Sequence, residues 1–124
     1  MATRHPPVVF PKRGDVYVVR LDPSEGVEIS KTRPAVIIQN DLGNRFSDLT
    51  IAAPITSKYD TDLYPTEVLV KAPEGGLKTD SVVLLNQIRA VDKRRLGRRL
   101  GALHPSTMAL VNEALAVSVG LADL

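Results

Sequence analysis

The fold of this chain is limited most by a series of short runs rich in β-branched residues, each bounded by prolines or turn-forming residues. The first run, residues 14–21 (GDVYVVRL), stops at Asp22-Pro23, and similar runs occupy residues 35–39, 49–55, 66–70 and 81–85, with 89–92 as a further candidate. Short runs of this kind with turn residues at both ends are typical of β-strands. Pro54 predicts a bulge or the end of its strand.

The segments between these runs predict connections rather than helices. Residues 22–33 and 56–65 are polar without a sustained period and predict loops, residues 40–47 predict a turn or a single helical turn, and residues 73–76 (PEGG) predict a turn. A helical period occurs only near the C-terminus, where Met108, Val111, Leu115 and Val119 fall on one face. Pro105 or Ser106 marks the start of this helix and Gly120 its end.

The order of these elements, five or six strands followed by one helix, restricts the architecture. No strand–helix alternation is present, so a doubly wound parallel sheet is disfavoured. The pattern favours a mainly-β fold, a small and strongly bent antiparallel barrel or sheet with a C-terminal α-helix. With 124 residues and 44% apolar content, the chain predicts one domain. Residues 1–11 contain three prolines and predict a flexible leader before a single domain at 12–124.

Several function classes are excluded or disfavoured by composition. The chain has no cysteine, which excludes disulfides, zinc–thiolate sites and thiol nucleophiles. Its apolar runs are too short to span a bilayer, and its N-terminus lacks the apolar stretch of a secretory signal, so we expect a soluble, cytoplasmic protein with no membrane partner. No phosphate-binding loop, dinucleotide fingerprint or metal-ligand spacing appears, so no cofactor or metal is expected. Only five aromatic residues argue against a base-stacking platform.

One strongly basic tract interrupts an otherwise nearly neutral chain. Residues 89–99 (RAVDKRRLGRR) contain six basic residues and one acidic residue, whereas the whole chain carries a net charge of only +2. Such a tract fits contact with a polyanion. It fits equally a solvated surface loop or short helix.

A set of polar residues between the predicted strands could carry chemistry: Glu28, Arg33, Asn40, Thr56, Ser57 and Gln87. Arg33 precedes Pro34, which favours an extended backbone, so its guanidinium would project from the entrance of a strand and could bind a phosphate. Thr56 and Ser57 follow the end of another strand. The structural alternative is that Thr56 and Ser57 cap a turn while Arg33 pairs with Glu28 on the surface. The histidines, His5 and His104, are expected to be structural or incidental.

Four blocks of this sequence together resemble one protein family. They are KRGDVYVVRLDP (12–23), GVEISKTRPAVIIQND (26–41), PITS (54–57) and DSVVLLNQIRAVDKRRLG (80–97). In that order and spacing they resemble the MazF/PemK family of toxin endoribonucleases, over nearly the whole chain. The resemblance implies an SH3-like, plasmid-maintenance-toxin barrel with a C-terminal helix.

The resemblance also implies an activity and its partners. Family members are homodimers that cut single-stranded RNA at short sequence motifs without a metal, leaving a 2′,3′-cyclic phosphate and a 5′-OH. A cognate antitoxin with a flexible acidic tail holds them inactive. The family's catalytic arginine and threonine correspond to Arg33 and Thr56, and its loop glutamate to Glu28. Gln87 corresponds to its RNA-contacting glutamine, and Ser57 and Asn40 are further candidates for substrate contact.

The resemblance leaves the roles of these residues, and one other activity, open. The pKa of an arginine lies above about 12, so Arg33 is suited to stabilising charge on phosphate oxygens rather than to acting as a base. Thr56 would orient or donate to the phosphate, and Glu28 would act as the base or position Arg33. The alternative activity is inhibition of DNA gyrase, as in relatives with the same fold. A binding module without toxicity is a third hypothesis.

Overall fold

All the strands that the structure describes belong to one antiparallel sheet. The computed structural model describes residues 10–21, 26 and 31–123. Its strands are β1 (Asp15–Arg20), β2 (Thr32–Ile37), β3 (Leu49–Thr56), β4 (Glu67–Val70), β5 (Ser81–Leu84), β6 (Arg89–Asp92) and β7 (Leu96–Ala102). The helices are α1 (Asp41–Phe46) and α2 (Pro105–Ser118), with short 3₁₀ turns at Glu74–Gly76, Leu85–Gln87 and Lys93–Arg95. The leader predicted at 1–11 lies almost wholly outside the described residues.

The strand β3 is the centre of the sheet. The order across the sheet is β4-β5-β3-β2-β1-β7, and β6 also pairs with β3. One side of β3 pairs with β2, while its other side pairs first with β6 and then with β5. Pro54 neither ends nor interrupts β3, contrary to the prediction. On the side of β3 that faces β5 and β6, Pro54 lies between the residues paired with β6 and those paired with β5. The missing N–H of proline therefore breaks no ladder hydrogen bond on that side.

The sheet curls until its two ends meet through the Glu74–Gly76 turn, which connects β4 to β5 and packs on β7. Gly76 has a φ of +74°, and a Cβ at this position would lie 2.0 Å from the Leu100 carbonyl oxygen. Gly101 approaches the turn from the other side, where a Cβ would lie 2.8 Å from the carbonyl carbon of Gly75. Backbone therefore contacts backbone at this junction. The predicted mainly-β antiparallel fold with a C-terminal helix is confirmed, although β4 and β7 do not pair in the described residues and the sheet is not closed.

Both faces of the sheet are covered by apolar side chains. Alternation along the strands sends Val36, Ala53 and neighbouring positions to a larger cluster under α2, and sends the residues between them to a smaller cluster on the other face. The helix α2 buries Val111 and packs Met108 and Leu115 against the larger cluster, as its period predicts. Val119, predicted on the same face, follows the end of the helix and is 52% exposed.

The basic tract is neither a loop nor a helix, because it contains β6, the Lys93–Arg95 turn and the whole first half of β7. Several of its arginines are bound within the molecule rather than gathered into one patch. Arg94 donates to both oxygens of Asp92, which lowers the pKa of that carboxyl to about 2. Arg99 pairs with Asp15 at 3.1 Å. Arg95 donates to the carbonyl of Arg20.

The segment predicted as a turn or a single helical turn forms α1, whose first N–H groups need a cap. Asn40 provides it, because its Oδ1 accepts a hydrogen bond from the Gly43 N–H at 2.8 Å. Arg13 connects this region to α2: its backbone N–H donates to Asp41, and its guanidinium donates to Ile38 O and to Asn112. No helix within the described residues is long and apolar enough to cross a membrane.

Candidate active site

The ladder between β2 and β3 brings Arg33 and Thr56 to the same end of the sheet. Ala35 pairs with Pro54, and continuing that register by two residues brings Arg33 opposite Thr56. On its other side Arg33 pairs with Val19 of β1. Two residues that are far apart in the sequence therefore lie at the same end of two neighbouring strands.

Beside this pair lies a cleft of about 500 Å³ that crosses the sheet. Its floor contains one residue from each of three adjacent strands: Val18 of β1, its partner Pro34 of β2, and Ile55 of β3. Leu77 and Leu100 add apolar surface from the Glu74–Gly76 junction. The floor is thus apolar and built from regular strands, which makes it a preformed surface rather than a gap between loops.

The rim of this cleft is polar and positively charged. Its hydroxyl groups come from Thr32, Ser57, Thr79 and Ser81, and its cationic side chains are Lys31, Arg33, Lys78 and Arg98. No aspartate or glutamate of the described residues lines the cleft. Four cations around an apolar floor suit an anionic ligand that also carries flat, weakly polar groups.

Thr56 is buried between two residues that line the cleft, Ile55 and Ser57, but does not line the cleft itself, and its hydroxyl has a structural role. Its Oγ1 accepts a hydrogen bond from the Lys58 N–H at 3.1 Å, so it caps the turn that follows β3. The turn-capping alternative is therefore observed for Thr56. The hydroxyl also donates, over a longer 3.4 Å, to the Lys58 carbonyl oxygen, so a substrate acceptor would have to replace that second bond. Ser57, the next residue, is exposed and lines the cleft directly.

The structure does not gather all six predicted residues around Arg33. Gln87 is half-exposed in the 3₁₀ turn between β5 and β6, further back along β3, and does not line the cleft. Asn40 lies beyond the opposite end of β2 from Arg33, where it caps α1. Glu28 lies outside the described residues. Their roles toward a substrate stay predictions.

Two cationic residues of the cleft, Lys31 and Lys78, were not predicted from the sequence, and Arg98 was considered only as one of the arginines of the basic tract. Lys31 precedes β2 with a φ of +69°, and Lys78 follows the Glu74–Gly76 turn. Arg98 was part of the basic tract, but nothing distinguished it from its neighbours. It lies in β7 where the pairing with β1 shifts, so that Gly97 and Arg98 both lie opposite Val18. The charge of the basic tract indicated that Arg98 could contact an anion, whereas no sequence feature indicated the same for Lys78.

No three aspartate, glutamate or histidine side chains among the described residues are grouped so that they could hold a metal ion. The described histidine, His104, precedes α2 as its N-cap residue, and its backbone N–H donates to Glu74 Oε2 at 2.9 Å. That bond ties the start of α2 to the Glu74–Gly76 turn. His104 therefore has the structural position that the sequence predicted.

A comparison of this chain with known protein families identifies the class of protein to which the fold and the Arg33–Thr56 end of the sheet belong. The family model of PemK-like, MazF-like toxins of type II toxin–antitoxin systems matches residues 12–119. This match covers most of the chain, including every strand of the sheet. The chain belongs to this family.

Individual relatives extend the comparison. The chain is 46% identical over 112 residues to Endoribonuclease EndoA of Bacillus subtilis (strain 168), covering 90% of this chain and 97% of that protein. It matches the crystal structure of MazF from Deinococcus radiodurans with a TM-score of 0.79 and 28% identity, over 91% of this chain and 99% of that one. It also matches a mycobacterial endoribonuclease in complex with its cognate antitoxin, with a TM-score of 0.75 and 30% identity, over 90% and 97% of the two chains.

Proposed function

We propose that this chain is an endoribonuclease toxin that cuts single-stranded RNA at a short sequence motif without a metal. The observation that carries the proposal is the β2–β3 register, which when continued by two residues brings Arg33 opposite Thr56, beside a cleft with four cations and no described carboxylate. The names of the relatives, an endoribonuclease at 46% identity and a MazF structure, support the same activity. The products proposed are a 2′,3′-cyclic phosphate and a 5′-OH.

The reaction is a transesterification in which the ribose 2′-oxygen attacks the adjacent phosphorus. The bond from phosphorus to the 5′-oxygen breaks, the 2′-OH proton passes to a base, and the leaving 5′-oxygen takes up a proton. Negative charge grows on the non-bridging oxygens as the attack proceeds. Arg33 stabilises this charge, and removing one such preorganised donor typically costs about 10²- to 10³-fold in rate.

The remaining residues have the following proposed roles. The Thr56 hydroxyl donates to a phosphate oxygen in place of the Lys58 carbonyl oxygen, while its own oxygen stays bonded to the Lys58 N–H. Glu28 is the proposed base or the residue that positions Arg33. Ser57 contacts the substrate from the rim of the cleft, and Gln87 and Asn40 contact it further from the reacting phosphate.

We also propose a homodimer in the cytoplasm, held inactive by a cognate antitoxin whose flexible acidic tail occupies the RNA groove. The mycobacterial relative was solved in complex with its cognate antitoxin, which supports a partner of this class. An acidic tail would complement the positive charge around the cleft.

The test is cleavage of a long single-stranded RNA by the purified protein in EDTA, with the fragment ends mapped. We expect cuts at one recurring motif with cyclic phosphate ends, and a loss of at least about 100-fold in rate in Arg33→Ala. Arg45→Ala is the matched control, because Arg45 is exposed in α1, beyond the opposite end of β2 from Arg33. Growth arrest on expression without any RNA cleavage would overturn the proposal in favour of a protein target such as gyrase.

A further inference from the structure

We infer that Lys78 and Arg98 form a phosphate-binding subsite that holds the phosphodiester next to the one that is cut. This inference rests on the proposed function and assigns the neighbouring part of the same cleft. Both side chains line the cleft together with Arg33. Neither was singled out by the family motifs, and neither takes part in the proposed chemistry.

The fold fixes the two residues on facing segments of the cleft wall. Gly76 packs directly against the Leu100 carbonyl, so the Glu74–Gly76 turn and β7 are held together by backbone contact. Lys78 lies two residues after Gly76, and Arg98 lies two residues before Leu100. Both therefore start from the same rigid junction. The register shift opposite Val18 further sets Arg98 apart from the regular ladder of β7.

The charges of these two residues are not neutralised within the described part of the chain. Arg94 and Arg99, close in sequence, are paired with Asp92 and Asp15. The side chains of Lys78 and Arg98 are exposed and form no hydrogen bond or ion pair within residues 10–21, 26 and 31–123. An anion bound at this end of the cleft would contact two cationic side chains, and neither would have to break an existing hydrogen bond or ion pair to bind it.

The surroundings favour a nucleotide over other anions. Leu100 and Pro34 offer apolar surface on which a ribose or base can pack, and the exposed Thr79 borders that surface. Arg33 lines the same cleft, so an RNA strand whose reacting phosphate contacts Arg33 would place a neighbouring phosphate toward Lys78 and Arg98. An acidic peptide would use the two cations but would have no need of Arg33 or of a surface for a base.

The test measures RNA binding with an oligonucleotide that contains the mapped motif and carries a 2′-O-methyl group at the cut, which removes the nucleophile. Lys78→Gln/Arg98→Gln is compared with Lys71→Gln/Arg45→Gln, which removes the same charge from exposed positions outside the cleft. We expect the Kd of the first variant to rise about tenfold at low salt, and its salt slope to fall by about 0.7, since one neutralised phosphate on a single strand contributes about 0.7. The control variant Lys71→Gln/Arg45→Gln should have the same Kd and the same salt slope as the wild type.

Two further measurements locate the subsite. Single-turnover kcat on cleavable RNA should change less than about threefold in Lys78→Gln/Arg98→Gln, because phosphate contacts away from the reacting group position the strand rather than act in the chemistry. Replacing phosphates one at a time with neutral methylphosphonates should weaken wild-type binding at the position next to the cut. The same replacement should leave the binding of the double variant unchanged.

The outcomes separate the two proposals. If the wild type cuts RNA but the double variant binds the oligonucleotide with the Kd and salt slope of the control, the subsite is wrong and the nuclease proposal stands. A variant that binds RNA normally but loses affinity for an acidic peptide would also overturn the subsite. If the wild type does not cut RNA at all, the proposed function fails and the subsite fails with it.

Discussion

The hydroxyl of Thr56 combines an observed structural role with a proposed catalytic one, and a single substitution can separate them. Thr56 is 8% exposed, and its Oγ1 accepts from the Lys58 N–H at the end of β3. A hydrogen bond of this kind typically contributes about 1 kcal/mol to stability. If the hydroxyl only stabilised the turn, removing it would lower the stability of the protein. The rate of RNA cleavage by the folded protein would then stay unchanged.

Thr56→Val is the substitution that tests the hydroxyl, because valine keeps the shape of the buried side chain. We expect the free energy of unfolding to fall by about 1 kcal/mol and the rate of RNA cleavage to fall by about 100-fold. Urea unfolding and single-turnover cleavage at saturating enzyme measure the two effects. Thr56→Ser keeps the hydroxyl and should stay within a few-fold of the wild-type rate. A Thr56→Val protein that is less stable but cuts at the wild-type rate would leave Thr56 with only its role in the turn.

Two glycines with similar backbone angles allow the junction between the Glu74–Gly76 turn and β7 to be tested. Gly76 has a φ of +74° and Gly120 a φ of +78°. A Cβ on Gly76 would lie 2.0 Å from the Leu100 carbonyl oxygen, whereas a Cβ on Gly120 would meet nothing within 4 Å. Both positions disfavour an L side chain, but only Gly76 also excludes the atom itself.

We therefore expect Gly120→Ala to lower the free energy of unfolding by about 1–2 kcal/mol, the cost of a left-handed backbone for alanine. Gly76→Ala should cost clearly more, because the turn must also move away from β7. Chemical unfolding followed by far-UV circular dichroism gives both values. Equal losses in the two variants would show that the turn and β7 are not in tight contact. Since Lys78 and Arg98 start from this junction, Gly76→Ala should also weaken RNA binding.

The elements that could be predicted from the sequence are those with a strong local pattern. β1, β3, β5 and α2 follow from β-branched runs or a helical period, and their observed bounds differ from the predicted ones by a residue or two. β7 (LGRRLGA) was missed because it is an edge strand with two glycines and mostly exposed side chains. Its position depends on backbone approach to the Glu74–Gly76 turn, a contact between distant segments that no local pattern records.

The whole molecule depends on a sheet with an apolar cluster on each face. Ile37 is fully buried in the smaller cluster and Leu85 is fully buried in the larger one, under α2. Both clusters are attached to the same central strands, β2 and β3. Neither face can lose its packing without loosening the ladder that supports the other.

We expect Ile37→Ala and Leu85→Ala each to lower the free energy of unfolding by about 2–5 kcal/mol within one cooperative transition. Tyrosine fluorescence, which includes Tyr17 in the smaller cluster, should report the same urea midpoint as far-UV circular dichroism in both variants. Separate midpoints for the two signals in Leu85→Ala would show that the faces unfold independently.

The candidate site could be predicted only in part, for reasons that follow from this architecture. Arg33 and Thr56 could be predicted as site residues because each lies at the end of a predicted strand and matches a family motif. The β2–β3 register, continued by two residues, then brings them opposite each other. Lys78 could not be predicted as a site residue, because its position in the cleft depends on the curl of the sheet. Glu28 lies outside the described residues, so its predicted role is untested.

The two parts of the cleft differ in how they would respond to sequence change. Arg33 and Thr56 follow a ladder in which a slip of one residue would move one of the two side chains to the opposite face of the sheet. Lys78 and Arg98 lie after a turn and at an irregular point in an edge strand, and their exposed side chains can be replaced without disturbing the core. Over evolutionary time, a chain built in this way can vary how tightly it holds the RNA backbone while the geometry at Arg33 and Thr56 is inherited unchanged.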